Sequence, residues 1–373
     1  MKKKILFFIP NLAHGGAERV LVNLVNHIDL TKFDVTVQTM FDVGIYTAAL
    51  NKNIRYIGGL KHYFRGNTHL FKLLTPKQLY KMYIKEHYDV IVSYLEGPSA
   101  RVVSGCDDKN TKLVCWIHVE QHNYKYAASC FRNVAEAKKC YNRFDRIICV
   151  ADTVRKDFVS LFKTKSQPEV LYNTVESDVI REKMAEPIDD IEFSKDEINI
   201  CSVAKLMYVK GYDRLVNILK LLREKNIPAH IYIVGKGEEK TTLEAQIKKY
   251  GLEDCWTFVG FKENPYKYVR ASDLYVCSSR REGFSTAVTE SLIIGTPVVS
   301  TDCSGAKELL GYNNEYGIVT ENNQEALLDG ILTMLKTPET LEFYRQKANE
   351  RGKMFQTKAT VSEVEKMLLE VSK

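Results

Sequence analysis

The fold is constrained most strongly by a rhythm in which a short apolar run, a turn and an amphipathic stretch follow one another along the chain. In the first repeat the apolar run covers residues 5–9, the turn contains Gly15 and Gly16, and apolar residues then recur at helical spacing over residues 20–28. Further apolar runs lie at residues 35–39, 90–94, 113–117 and 146–150. This rhythm is typical of a parallel sheet whose strands are joined by crossover helices.

The same rhythm starts again after an acidic segment. Residues 176–197 contain nine acidic against three basic side chains, and new apolar runs follow from residue 199 onward. The sequence therefore predicts an α/β fold with two doubly wound, Rossmann-like domains over residues 1–180 and 198–350, joined by a linker at 181–197. Ligands of such sheets bind at the carboxyl ends of the strands, so we expect both domains to face a central cleft. Residues 351–373 are expected to form a helix that packs on the first domain.

Composition excludes several classes of protein. Of 373 residues, 45% are apolar and 27% are charged, which excludes intrinsic disorder, collagen-like repeats and a disulfide miniprotein. No apolar run approaches the roughly 18 residues that a membrane-spanning helix needs. Pro10 and Asn11 interrupt the apolar start too early for a signal peptide, so we expect a cytoplasmic location. The nine cysteines contain no C-x-x-C pair, which argues against a zinc or redox motif.

Charge is distributed unevenly. Residues 1–175 contain 26 Lys or Arg and 15 Asp or Glu, a net charge of +11, whereas residues 176–373 contain 27 and 32, a net charge of −5. Such an asymmetry suggests that the first half binds something anionic, either a nucleic acid or a phospholipid surface.

Two loops between a strand and a helix contain candidate phosphate ligands. The glycines at 15 and 16 would let backbone N–H groups at a helix N-terminus approach an anion, although a tight turn explains them equally well. Lys205 and Lys210 follow the first strand of the second domain and precede Gly211. Both lysines can serve as point charges for a diphosphate, and the alternative is a pair of solvated surface lysines.

A third loop, which continues into a helix, carries two glutamates. Glu282 lies on the loop and Glu290 lies two turns along the helix that begins near Ser285. The two carboxylates can bind separate hydroxyl groups of one ligand while the backbone N–H groups between them meet its phosphate. An isolated glutamate would more simply be a solvated helix residue, but the Gly-Phe-Ser-Thr loop between the two argues against that reading.

The spacing from Glu282 to Glu290 resembles the E-x7-E signature of glycosyltransferase family 4, the retaining nucleotide-sugar transferases of GT-B type. The resemblance extends to Gly15-Gly16-Ala17-Glu18-Arg19, Trp116-Ile117-His118, Val170-Leu171-Tyr172-Asn173, the loop from Lys205 to Gly211, Val234-Gly235-Lys236-Gly237 and Gly295-Thr296-Pro297-Val298. It implies that the first domain binds the acceptor and the second binds the nucleotide sugar.

The resemblance also implies roles for single residues. Glu282 would contact the donor sugar, and Glu290 would bind the ribose hydroxyls. Lys205 and Lys210 would neutralise the diphosphate, although arginine is usual at the first of these positions and a lysine loses its bidentate geometry. His118 would lie beside the donor sugar and the acceptor nucleophile. The implied catalytic residues are His118, Glu282, Lys210 and Lys205, and further donor contacts are implied for Gly15, Gly16, Gly235, Phe261, Gly283, Phe284, Ser285 and Thr286.

His118 has a competing interpretation as a metal ligand. It forms an H-x-E-x-H pattern with Glu120 and His122, but two histidines four residues apart share a metal only on a helix, and residues 113–117 are predicted as a strand. The resemblance also implies no essential metal. We therefore expect no metal site and no cofactor besides the nucleotide-sugar substrate.

Two segments of the first half mix basic and aromatic residues. Residues 61–85 contain six basic and no acidic side chains, and residues 121–146 contain six basic and two acidic ones. The mixture suits an anionic membrane surface, single-stranded nucleic acid, or an ordinary helix whose aromatic residues face the core. Sugar transfer favours the membrane over nucleic acid. The candidate membrane or acceptor residues are Lys61, Arg65, Lys72, Lys77, Lys81 and Arg132.

The resulting hypothesis is a retaining, metal-independent glycosyltransferase. It would move a hexose or N-acetylhexosamine from a nucleotide sugar, with UDP as the expected nucleotide, to a lipid-linked saccharide in bacterial polysaccharide or glycan assembly. We expect it to bind the inner face of the cell membrane peripherally, where other glycan-assembly enzymes are possible partners, and we expect no nucleic-acid partner. An epimerase or phosphorylase of the same fold and a non-catalytic membrane-docked partner subunit remain alternatives. An NAD-dependent oxidoreductase is disfavoured because the first loop lacks G-x-G-x-x-G.

Overall fold

The computed structural model describes residues 2–13, 15–61, 71–282, 284–303 and 305–373. The chain divides into two compact units. The first contains Met1–Val175 together with Thr357–Lys373, and the second contains Glu176–Gln356. Each unit has one parallel sheet with helices, which confirms the predicted fold class of two Rossmann-like domains with a C-terminal helix that returns to the first.

The sheet of the first unit is wound in both directions from its centre. Its strands pair in parallel in the order β3-β2-β1-β4-β5-β6-β7, so the chain changes direction across the sheet between β1 and β4. The strands are β1 (Lys3–Ile9), β2 (Phe33–Thr39), β3 (Arg55–Ile57), β4 (Val90–Ser93), β5 (Lys112–Ile117), β6 (Arg146–Cys149) and β7 (Glu169–Val170). The five residues from Ile5 to Ile9 are all fully buried, because both faces of a central parallel strand are covered.

Helices connect these strands, and local sequence fixes several of their ends. The helices are α1 (Gly16–His27), α2 (Pro76–Tyr83), α3 (Pro98–Val103), α4 (Tyr124–Ala127), α5 (Val134–Tyr141) and α6 (Asp152–Leu161). At the start of α2, the Gln78 backbone N–H donates to Thr75 Oγ1 and the Thr75 N–H donates to Gln78 Oε1. This capping box satisfies two donors that the helix itself leaves unpaired.

The second unit repeats the plan of the first. Its strands pair in parallel in the order β10-β9-β8-β11-β12-β13, so the reversal of order falls between β8 and β11. The strands are β8 (Ile198–Val203), β9 (Ala229–Val234), β10 (Trp256–Gly260), β11 (Leu274–Cys277), β12 (Val298–Thr301) and β13 (Ile318–Thr320). The helices are α7 (Ser177–Lys183), α8 (Tyr212–Glu224), α9 (Lys240–Tyr250), α10 (Tyr266–Arg270), α11 (Thr286–Ile294), α12 (Ala306–Leu310), α13 (Gln324–Met334) and α14 (Pro338–Gly352).

The last helix, α15 (Thr357–Val371), completes the first unit. Its apolar face, which includes Val361, Val364 and Leu368, is buried. Glu365 Oε1 accepts the Asp29 backbone N–H at 2.7 Å. Both packing and hydrogen bonds therefore hold the end of the chain against the first sheet's helices.

The boundaries of the units differ from the predicted ones by a few residues. The first of the two segments that form the first unit ends at Val175. The region predicted as a linker at 181–197 begins inside α7, which belongs to the second unit. The return to the first unit begins at Thr357, because residues 351 and 352 still belong to α14. Only residues 181–183 of the predicted linker belong to α7, and residues 184–197, which contain most of the acidic side chains, connect α7 to β8. Within the described residues, no helix is long and apolar enough to cross a membrane.

Candidate active site

The second unit joins two predicted site residues across the reversal point of its sheet. Lys210 lies on the loop after β8, and Glu282 lies on the loop after β11. Lys210 Nζ is 2.6 Å from Glu282 Oε1, and Ser279 Oγ donates to the same oxygen at 2.7 Å. The crevice at this point is where doubly wound sheets bind their ligands. The pair therefore places one cation and one carboxylate together at a ligand-binding position.

The backbone around Lys210 is fixed by the neighbouring loop. Ser278 Oγ donates to the Lys210 carbonyl at 2.8 Å, and the Arg280 N–H donates to the Val209 carbonyl at 2.8 Å. Gly211 follows in the left-handed region at φ 69°. Any Cβ at this glycine would collide with the Ser278 carbonyl, so the close approach of the two loops requires glycine.

Sequence reasoning missed the residues that support this loop. Arg280 donates two hydrogen bonds to the Asp213 carboxylate, at 2.7 and 2.6 Å, and its guanidinium lies 3.9 Å from the centre of the Tyr208 ring. The Arg280 guanidinium holds the pKa of Asp213 below its usual value, although burial acts against it. The sequence signal for Arg280 was its position three residues after β11, close to the edge of the sheet where ligands bind.

Glu290 lies on α11 and is buried, with 9% of its surface exposed. The hydroxyl of Tyr266, on α10, donates to Glu290 Oε1 at 3.2 Å. Ser285 caps α11 by accepting the Val288 N–H, and Thr286 is the first residue of the helix. The predicted donor residues Glu290, Ser285 and Thr286 therefore share one helix, and the positioning role of Tyr266 had no signal in the sequence.

The remaining predicted donor residues have different surroundings. Phe284 is buried, with its ring 6.4 Å from that of Phe355, so it packs within the unit. Lys205 is exposed on the loop that carries Lys210. Phe261 is 63% exposed after β10, where Lys236 Nζ lies 5.3 Å from its ring centre. Gly283 lies outside the described residues.

Gly235 serves a structural purpose that the motif did not show. Its φ of 154° is rare for residues with a side chain, and a Cβ there would collide with the Ala204 carbonyl. Its N–H donates to the Gly260 carbonyl at 2.8 Å. These contacts bring the loops after β8, β9 and β10 close together.

In the first unit, the two predicted glycines begin α1. Gly15 is the N-cap, and a Cβ on it would collide with the Glu18 carboxylate, which folds back over the helix N-terminus. A Cβ on Gly16 would meet no described atom within 4 Å. Packing among the described residues therefore does not require glycine at position 16.

His118 follows β5 and is buried, with 6% of its surface exposed. Its ring lies 4.9 Å from that of Tyr94, and its Nε2 has no hydrogen-bond partner among the described residues. Burial lowers the pKa of His118 to about 3, so the imidazole is neutral at pH 7. Residues 118–122 form a loop rather than a helix, and no group of three or more His, Cys, Asp or Glu in the described parts of the chain could hold a metal ion.

Two family models match successive parts of the chain. The model described as Glycosyltransferase Family 4 matches residues 14–179, and the model described as Glycosyl transferases group 1 matches residues 184–351. The chain belongs to glycosyltransferase family 4. The family identifies the protein as a glycosyltransferase and agrees with the GT-B fold of its two units.

Curated relatives match nearly the whole chain of this family 4 member. An N-acetylgalactosamine-N,N'-diacetylbacillosaminyl-diphospho-undecaprenol 4-alpha-N-acetylgalactosaminyltransferase of Campylobacter jejuni is 28% identical over 95% of this chain and 96% of the relative. The amylovoran biosynthesis glycosyltransferase AmsD of Erwinia amylovora is 25% identical over 91% of both chains.

Solved structures share the fold at lower identity. Anabaena HepE in complex with UDP superposes with a TM-score of 0.78 at 18% identity, over 99% of this chain and 100% of that chain. Sucrose-phosphate synthase from Thermosynechococcus elongatus gives a TM-score of 0.77 at 16% identity, over 99% of both chains.

The basic residues predicted to bind an acceptor or a membrane do not form one free surface. Arg132 donates to the backbone carbonyls of Lys72 and Leu73, at 2.6 and 2.8 Å, so its guanidinium holds the protein's own chain rather than an external anion. Lys77 Nζ is 2.8 Å from Asp107 Oδ2. Lys61 and Lys81 are exposed, Lys72 is half-buried, and Arg65 lies outside the described residues.

Among the described residues of the basic segments, most aromatic side chains face the core, as the alternative interpretation expected. Tyr80, Tyr83, Phe131, Tyr141 and Phe144 are buried. Tyr126 and Tyr124 face outward, with exposures of 61% and 37%, as does the apolar Leu73 with 75%. In the described part of these segments, the aromatic side chains therefore expose less apolar surface than the composition suggested.

Proposed function

We propose that this glycosyltransferase is a retaining enzyme that transfers a hexose or N-acetylhexosamine from a UDP-sugar to a lipid-linked saccharide. The pathway we propose is bacterial polysaccharide or glycan assembly. The proposal that the second unit binds a nucleotide sugar rests on the contact between Lys210 and Glu282 across the reversal point of the second sheet. One charge suits a diphosphate, and the other suits sugar hydroxyls.

The choice of UDP rests on structural neighbours. Anabaena HepE was solved with UDP, with UDP and glucose, and with UDP-glucose. In the proposed complex, Glu290 binds the ribose hydroxyls, held in place by Tyr266, and Lys205 and Lys210 approach the diphosphate. In the same proposed complex, the exposed ring of Phe261 covers the base.

The proposed reaction breaks the bond between the anomeric carbon and the diphosphate oxygen and forms one to an acceptor hydroxyl. The departing diphosphate gains negative charge, which Lys210 stabilises by preorganised electrostatics. The acceptor attacks from the face that the diphosphate leaves, so configuration is retained. The hydroxyl proton passes to an oxygen of the departing phosphate, and no metal ion takes part.

The lipid-linked acceptor is supported by the relative and by charge. The Campylobacter jejuni relative is named for a diphospho-undecaprenol saccharide acceptor. The net charge of +11 over residues 1–175 favours an anionic surface. We therefore propose peripheral binding to the inner face of the cell membrane, in which Lys61, Lys72 and Lys81 approach lipid phosphates.

A donor screen tests the proposed function. We expect one UDP-sugar, among a set of UDP- and GDP-sugars, to raise the melting temperature and to be hydrolysed slowly without an acceptor. A preference for GDP-sugars would overturn the choice of nucleotide, and stabilisation by no nucleotide sugar would overturn the donor site.

Product analysis tests the stereochemistry and the metal independence. We expect proton NMR of the glycoside to show the anomeric configuration of the donor, and we expect EDTA to leave the rate unchanged. An inverted product would contradict front-face attack, and a rate restored only by a divalent ion would contradict a metal-free reaction.

Vesicle flotation tests membrane binding separately from catalysis. We expect recovery with anionic vesicles at low salt and much lower recovery with neutral vesicles, because the attraction is electrostatic. Equal recovery with both kinds of vesicle would contradict the proposed surface.

A further inference from the structure

Each sheet places a glutamate on the loop that follows its fourth strand, beside the reversal point. In the second unit this residue is Glu282, after β11, and in the first unit it is Glu96, after β4. Sequence analysis identified only Glu282, because Glu96 belongs to no spaced motif. Both residues occupy the edge of the sheet where ligands of doubly wound folds bind.

Glu96 contacts the loop that carries His118. Its Oε2 accepts the His118 backbone N–H at 2.9 Å. Gly97, in the left-handed region at φ 73°, turns the chain immediately after Glu96, and its N–H donates to the Tyr141 hydroxyl at 3.4 Å. Glu96 therefore ties the loop after β4 to the loop after the neighbouring strand β5.

The buried imidazole beside this contact has an unused polar atom. His118 Nε2 is buried and has no hydrogen-bond partner among the described residues. Buried polar atoms are nearly always paired, so an unpaired one at a ligand-binding edge indicates a bond that a ligand completes. A sugar hydroxyl is a suitable partner, because it both donates and accepts hydrogen bonds.

We propose that Glu96 is a positioning residue, which holds the His118 backbone so that the imidazole meets a hydroxyl group of the bound sugar substrate. This inference rests on the proposed function. Burial raises the pKa of Glu96, and the His118 N–H acts in the opposite direction. A carboxyl oxygen accepts the N–H in either protonation state, so the role does not require a charge on Glu96.

Substitutions of Glu96 separate positioning from charge. Glu96→Gln keeps an acceptor oxygen, and we expect kcat within about threefold of the wild type. Glu96→Leu leaves the His118 N–H unpaired in a buried position, and we expect kcat to fall roughly tenfold or more. Glu86→Leu, at an exposed glutamate paired with Arg55, is the matched control and is expected to leave kcat unchanged.

A double-mutant cycle with His118→Ala provides the decisive readout. If Glu96 acts only through His118, Glu96→Leu lowers kcat in the wild type but not in His118→Ala, because the imidazole that it positions is then absent. The two losses are then not additive. Additive losses, or an unchanged rate in Glu96→Leu, would overturn the inference. If Glu96→Leu does not fold, a loss of activity in Glu96→Gln as large as that of His118→Ala would overturn it instead.

The same measurements separate this inference from the proposed function. Stabilisation of the wild type by UDP-sugars and its transferase activity report on the proposed function alone. Should both hold while the cycle is additive, only the role of Glu96 is wrong. Should the wild type transfer no sugar from any UDP donor, the proposed function fails first.

Discussion

The predicted site residues of the two units make different kinds of contact. In the second unit, Lys210 and Glu282 lie in direct contact although 72 residues separate them. In the first unit, Arg132 and Lys77, which were predicted to meet an external anion, bind carbonyl or carboxylate oxygens of the same unit. Spacing between chemically matched residues therefore predicted two side chains that the fold brings into contact, whereas the composition of a segment gave no such pair.

The largest expected effect tests the contact in the second unit. Lys210→Ala removes a preorganised cation from the departing diphosphate, and we expect kcat to fall about 100-fold. The exposed Lys248 on α9 is the matched control, and Lys248→Ala is expected to be neutral. A wild-type rate in Lys210→Ala would show that the contact between Lys210 and Glu282 does not contribute to catalysis.

The next effect concerns the buried imidazole of the first unit. The pKa of His118 is lowered to about 3 by burial, whereas an unfolded histidine has a pKa near 6.5. The unfolded state alone takes up this proton between those values, so stability falls as pH drops below about 6.5. We expect the free energy of unfolding to decrease between pH 7.5 and pH 5 by about 2 kcal/mol more in the wild type than in His118→Gln. Urea denaturation at both pH values measures this difference, and an equal decrease would show that the imidazole is solvated.

A smaller effect distinguishes Gly16 from Gly235, although the family resemblance implies a donor contact for both. A methyl group in Gly16→Ala would meet open space, so we expect an unchanged or slightly higher melting temperature, but roughly tenfold weaker donor use if the predicted role of this N–H as a phosphate ligand holds. Gly235→Ala collides with the Ala204 carbonyl and should lower the melting temperature. Full activity in Gly16→Ala would assign that glycine to the turn alone.

The smallest effect sharpens the account of the basic residues. Lys81→Gln removes an exposed charge from the first unit, and we expect binding to anionic vesicles to weaken by about 1 kcal/mol. Lys225→Gln, at an exposed lysine of the second unit, serves as the control. Equal weakening in both variants would show that net charge, rather than the face of the first unit, governs binding.

The sequence predicted those features that depend on local pattern. The continuous apolar run of β1 predicted a strand of a parallel sheet, and the glutamate motif placed Glu282 on the loop before α11 and Glu290 on the helix itself. Tyr266 and Glu96 were missed because their partners, Glu290 and the His118 N–H, lie more than 20 residues away in the sequence and only folding brings them close. The hydrogen bonds of Arg132 were missed for the same reason, since the carbonyls that it binds lie about 60 residues earlier in the chain.

The return of α15 to the first unit has a consequence for synthesis on the ribosome. The second unit is one continuous segment, so it can fold as soon as it has emerged, whereas the first must wait for a helix that is translated after the entire second unit. Until then, the surface that Val361 and Leu368 cover stays open to water. A fragment that stops at Val175 would expose the same surface permanently, whereas Glu176–Gln356 is the piece suited to expression by itself for nucleotide-binding measurements.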